Sequence, residues 1–262
     1  MNNWFYDLPT YLSLFIFVMI VTALSLMGLF LFDLADLELV KCEDNNNVVG
    51  IYITIVSAFL GIVLTFIVVA VWGDYADAQV NADREAYSLY SLFETISFLP
   101  GTEETQRLII RYMEEIVEVE YPTFKAGDIP PISNRTLTAL QEFVYSYNPT
   151  NDRENTLYSQ SLDQLTTAVE LRIDRFASAT QGINFLVAAV TIIDSILIVI
   201  LCWFLSCRSA FHYLLVAVIA IYVASALFLI YILGYPFRGY ASLPPLAFEE
   251  ALKNIFAVIA IV

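Results

Sequence analysis

Asp194 is the only charged residue in the apolar run from Ile183 to Ser206. At the centre of a membrane span an ionised carboxylate costs about 2.5–3.5 kcal/mol on insertion scales. It is therefore either an ion site, gate or proton acceptor facing a watery interior, or a protonated acid bonded to a hydroxyl such as Ser195 or Thr191. A second set, Thr54, Ser57, Ala58, Gly61 and Thr65, forms a stripe of small and polar residues on another apolar run. Hydroxyls and exposed backbone suit the lining of an ion path, while Ser57-x-x-x-Gly61 equally suits close helix packing. The bulky Phe59, Leu60 and Phe66 on the other faces offer a hydrophobic constriction instead.

Beyond that run, Asp74, Asp77 and Asn81 recur at i, i+3 and i+7. Repeated around an oligomer axis they would make acidic rings that concentrate cations. They are also the sequence's only suggestion of a metal site, for calcium, which takes several carboxylate oxygens; no EF-hand loop accompanies them. A solvated helix face accounts for them as well. Cys42 and Cys207 fall in two short connections on one side of the apolar runs, so a disulfide between them is one expectation and two free thiols the other. Cys202 lies inside a run and reads as a small hydrophobe.

Other chemistries find little support. There is one histidine, and no HExxH, GxSxG setting or phosphate-cradling glycine loop is present. Catalysis is not expected, because an intramembrane aspartyl site would need a second carboxylate beside Asp194. The formal net charge of −15 excludes nucleic acid as an expected partner.

The elements that must position these residues are set by hydropathy. The chain is 59% hydrophobic, with a mean hydropathy of +0.70. Four apolar runs, Thr10–Phe32, Gly50–Trp72, Ile183–Ser206 and Ser209–Gly234, exceed the roughly 20 helical residues that a 30 Å hydrocarbon core requires. Trp4, Phe5 and Tyr6 suit an interfacial anchor. The expected organisation is residues 1–72 as N-terminal anchor with spans one and two, 73–182 as a helical extramembrane domain, 183–234 as spans three and four, and 235–262 as an interfacial segment.

Within 73–182, Tyr87, Tyr90, Phe93 and Ile96 step by three, a helical face, and no glycine or proline occurs from Arg153 to Gln181. Spans two and three are thus both expected to run out of the bilayer as long helices. The tail carries Phe248, Leu252, Ile255, Phe256 and Ile259 at helical spacing, which suits the membrane interface or a neighbouring subunit. The fold class is an all-α integral membrane protein with four transmembrane helices, its extramembrane domain formed by extensions of spans two and three.

Ten Lys and Arg lie in the large segment and tail, against Lys41 and Arg208 on the other side. The positive-inside rule then places both termini and residues 73–182 in the cytoplasm.

Three stretches together resemble one family. "NNNVVGIYITIVSAFLGIVLTFIVVAVWGDYADAQVNADREAYSLYSLF" carries Asn47, Gly50, Trp72, Tyr75, Ala78, Glu85 and Leu92. "VEVEYP" supplies Glu120 and Pro122, with Tyr121 where tryptophan is common, and "YPFRGYASLPPLAFEEAL" supplies Pro236, Phe237 and Gly239. As a set these resemble the signatures of the bestrophin-like domain family. The chain departs from the pattern at span three, which lacks the family's usual proline–tryptophan pair.

The resemblance implies a homo-oligomer, typically a pentamer, in a bacterial plasma (inner) membrane. It also implies a pore lined by the second span, opening into a cytoplasmic vestibule. The charge of the segment, 18 acids against 8 bases, argues for cation-permeable or weakly selective conduction. The expected partners are membrane lipid, inorganic ions and further copies of the chain. The alternative is a non-conducting scaffold or sensor that binds a partner through its helical domain. A small transporter that uses Asp194 for proton coupling is a third reading.

Overall fold

The computed structural model describes residues 8–35, 45–205 and 209–260. Among them every regular element is helical. In order these are α1 (Thr10–Leu34), α2 (Asn45–Ser97), α3 (Glu103–Glu115), a π-helical segment (Ile116–Glu120), α4 (Tyr121–Ala126), α5 (Arg135–Ser146), α6 (Asp152–Thr180), α7 (Phe185–Trp203), α8 (Ala210–Leu233) and α9 (Leu246–Ile259). Four helical stretches, on α1, α2, α7 and α8, are long and apolar enough to cross a bilayer. The interfacial residues Trp4, Phe5 and Tyr6, the cysteines Cys42 and Cys207, and the cations Lys41 and Arg208 lie outside the described residues.

The chain divides into two units: Asp74–Gly182 with Tyr235–Val262, and Asn2–Gly73 with Ile183–Gly234. In the second, α1 lies along α8. Tyr213 Oη donates to Asp33 Oδ2 at 2.7 Å, and Phe17 and Phe228 meet at 6.0 Å between ring centroids. Gly28 lets α1 approach α7 closely, since a Cβ there would come within 2.4 Å of the Trp203 ring. The membrane half of α2 packs sparsely; between residues 46 and 72 only Leu60, Leu64 and Val71 are buried.

In the other unit the outer half of α2 packs with α3, α5, α6 and α9 around Leu89, Leu92, Ile109, Met113, Leu165 and Phe248. Helix α2 continues as expected, but the long helix before span three stops. Residues 181–184 are non-helical, and Asn184 caps α7 by accepting from Leu186 N at 2.9 Å. At the break, a Cβ on Gly182 would fall 2.4 Å from Tyr235 Oη. The backbone approaches that ring as only glycine allows.

The α9 face of Phe248, Leu252 and Ile255 is not interfacial. These residues are buried in the core of this same unit, whereas Phe256 and Ile259 on the next turn are about half exposed. The tail helix therefore uses most of its apolar face within its own chain.

Residues 103–126 also hold a feature the periodicity does not announce. The helix widens to i→i+5 pairing over Ile116–Glu120, and Tyr121 N–H donates to Ile116 O. Pro122 follows at once. Its ring clashes with the carbonyl four residues back and it has no N–H to give, and a wider turn just before it relieves both. Gly127, at φ +86°, ends α4 in the left-handed conformation.

Candidate functional site

Two constellations can do something. The first is the membrane half of α2. Of the stripe, Thr54, Ser57, Ala58 and Thr65 are exposed and Gly61 half-buried. A Cβ on Gly61 would meet nothing within 4 Å. Small-residue packing through Ser57 and Gly61 is therefore not made within the chain. The hydroxyls are spoken for as donors: Thr54 Oγ1 gives its proton to Gly50 O at 2.8 Å, Ser57 Oγ to Thr54 O at 3.1 Å, and Thr65 Oγ1 to Gly61 O at 2.8 Å. What the three oxygens still present outward is lone pairs, which suit cations better than anions.

Helix register separates this stripe from the acids. At 3.6 residues per turn, eighteen residues make about five turns, so residues eighteen apart stack on one line. Gly61 stacks under Gln79 and Thr65 under Asp83. Asp77 stacks over Phe59, and Asp74 over Val56. Asp74 and Asp77 therefore do not continue the stripe; they continue the line of Phe59. Both aspartates are exposed, and among the described residues no three His, Cys, Asp or Glu side chains gather as a metal site.

Asp194 is half-buried on α7 and has no hydrogen-bond or ion-pair partner among the described residues. The two hydroxyls expected beside it give their protons to the backbone, Thr191 Oγ1 to Val187 O and Ser195 Oγ to Thr191 O, each at 2.7 Å, so neither donates to Asp194. Cys202 is a buried free thiol.

The second constellation is a buried charge network in the extramembrane unit. Arg175 on α6 is fully buried and grips Glu85 of α2 with two bonds, Nε to Oε2 at 2.7 Å and Nη2 to Oε1 at 3.0 Å. Its Nη2 also donates to Glu120 Oε2 at 2.8 Å. Glu120 Oε1 accepts from Arg172 Nη1 at 2.5 Å, and the same nitrogen reaches Tyr112 Oη at 3.1 Å. Two carboxylates thus face two guanidinium groups, without net charge. The rings of Tyr121, Phe124, Phe176 and Phe248 stand 5.6–5.9 Å from the Arg175 guanidinium carbon. They offer π-faces where Arg175 Nη1 has no hydrogen-bond partner.

Burial pushes the Glu85 carboxyl up, against the opposing pull of Arg175. Burial alone would lower the Arg175 pKa, but Glu85 and Glu120 raise it, so its charge is secure. Burial likewise raises the phenols of Tyr112 and Tyr121, which stay neutral. The π-helical segment aims Glu120, its last residue, at both arginines.

Glu85 and Glu120 stood in the sequence motifs, but their partners did not. A signal was present nonetheless. Ser161, Leu165, Ala168, Arg172 and Arg175 recur at steps of four and three, so both arginines sit on the buried face of α6.

Comparison with known proteins bears on the family and the fold. No curated protein matches the chain in sequence. Two point variants of a bacterial bestrophin homologue from Klebsiella pneumoniae share the fold. One has a TM-score of 0.64 at 14% identity over 92% of this chain and 96% of that one. The other has 0.69 at 14% identity, over 92% and 98%. A further crystal structure, described as a membrane protein, aligns at 0.63 and 15% identity over 95% and 98%. The model of the bestrophin-like domain matches residues 19–248, and with its four spans and its buried Glu85 and Glu120 the chain belongs to the bestrophin-like family.

Proposed function

We propose that the protein is a homo-oligomeric ion channel, a pentamer by family resemblance, with α2 around the conducting axis. The observation that carries this reading is the state of α2. A single helix of 53 residues runs from an apolar half, largely uncovered by its own chain, into an acidic half without a stop. Its uncovered faces are available to an ion path and to neighbouring copies. Residues 73–182 and both termini lie in the cytoplasm on the count of basic residues. The acidic excess of that segment makes the pore cation-permeable or weakly selective.

In the principal reading the Thr54, Ser57, Ala58, Gly61 and Thr65 stripe faces the axis, offering hydroxyl lone pairs to a cation, and the acid on the same line is Asp83. Helix register supports a second reading, in which Phe59 and Phe66 form an apolar constriction. Asp77, stacked over Phe59, then forms the acidic ring with Asp74. A calcium ion at Asp74 and Asp77 would need further ligands from another copy.

Cysteine accessibility separates the readings. A thiol-reactive reagent should block current through Thr65→Cys and leave Phe59→Cys unaffected if the stripe lines the path. The reverse pattern selects the apolar face. Block at neither position would remove α2 from the axis and leave a non-conducting scaffold as the better account.

A further inference from the structure

Arg84 is the only Lys or Arg between Asn45 and Ser97, the bounds of α2, and Asp83 precedes it. Both are exposed, and neither has a hydrogen bond or ion pair among the described residues. Their own helix supplies no partner. No position three or four residues away from either holds an opposite charge, and consecutive residues on a helix do not face each other.

Helix register says where the two side chains point. Successive residues turn by about 100° around an α-helix. Ala78, Ala82, Leu89 and Ile96 lie in the core of the extramembrane unit, and counted from Ala78 they stand at about 0–40°. On the same scale Asp83 stands at about 140° and Arg84 at about 240°. The line midway between them, at about 190°, points away from the core. Val80 and Tyr87, 53% and 72% exposed, lie along it. Asp83 and Arg84 therefore flank the free face of α2, one on each side and within about 1.5 Å of the same height.

A closed ring of more than two copies meets head to tail, so one flank of each subunit must fit the opposite flank of the next. In a ring of five the two neighbours lie about 108° apart around each subunit, close to the roughly 100° between these side chains. Opposite charges on the two flanks, at one height, suit such a contact and fix its register.

We infer that Asp83 of one copy pairs with Arg84 of the next, closing a belt of ion pairs around the axis. The inference rests on the homo-oligomer proposed above, with α2 around that axis. A second copy of the chain is thus the partner of this face, selected by charge.

The test uses the full chain in detergent. Native mass spectrometry gives the number of copies, and mild oxidation of a chain carrying both Asp83→Cys and Arg84→Cys reports the contact. Adjacent Cα atoms are about 3.8 Å apart, too close for an ordinary disulfide within one helix. The inference expects cross-linked bands rising to the full number of copies. Each single variant should stop at the level of the chain with its own cysteines alone. Asp83→Arg should lower the assembled fraction several-fold at low salt, and adding Arg84→Asp should restore it. An assembled ring with neither cross-linking in the double variant nor any loss in Asp83→Arg overturns the pair and leaves the homo-oligomer standing. A single-copy mass for the unaltered chain removes both.

Discussion

The two units are held together by opposite means. The extramembrane unit closes around four buried charges and a ring of aromatic side chains, with Glu85, Arg175, Glu120 and Arg172 all at most 3% exposed. The membrane unit has no such centre among its described residues. Tyr213 and Asp33 make a polar tie between α8 and α1, and along 46–72 α2 buries three residues. The first unit therefore specifies its structure from within. The second leaves the membrane half of α2 largely uncovered by its own chain.

The largest test of that contrast lies in the network. Glu120→Gln would leave two buried guanidinium groups facing one carboxylate, and removing one partner of a buried pair costs about 3–5 kcal/mol. Thermal unfolding in detergent should show a large fall, or no folded protein at all; an unchanged transition would mean that the charges do not hold the unit together.

Next comes a tight place in the membrane unit, between α1 and α7. Gly28→Val puts a branched side chain into the Trp203 ring and should cost about 1–3 kcal/mol by overpacking, read from the same transition.

Tyr112→Phe removes only the phenol that Arg172 reaches. A hydrogen bond to a charged group is worth about 1.5–3 kcal/mol, and because Arg172 keeps Glu120 the loss should sit at the low end. Comparing Tyr112→Phe with Glu120→Gln in a double-mutant cycle measures the coupling through Arg172.

The smallest effect is expected where α2 is uncovered. Gly61→Ala meets no neighbour and should change stability by less than about 1 kcal/mol, with a gain in helix propensity. A large destabilisation there would show that α2 is packed after all.

The sequence was legible where bilayer thickness dictates length. Apolar runs long enough to span hydrocarbon had to become helices, and α1, α7 and α8 fall within a few residues of those runs. Elsewhere one local residue decided the outcome. Pro122 was visible as a breaker, yet the chain absorbs it in a π-helical turn rather than stopping. Gly182 ends the helix of residues 152–180 because Tyr235, a residue distant in sequence, needs its space. The charge network was illegible as a network because Glu85 and Arg175 lie on different helices, and pairing of that kind is a tertiary fact. The stripe and the aspartates were each legible alone. Their relation follows only from counting turns along one continuous helix, which puts Gly61 and Asp74 on different faces.

The central claim is conduction. Purified protein in a planar bilayer under a KCl gradient should carry current whose reversal potential lies on the potassium side of zero, which would assign selectivity to the acidic segment. A reversal potential near that of chloride would keep the channel and refute the charge argument. Absence of current across voltage, pH and calcium concentration would contradict the account and leave α2 as a stalk.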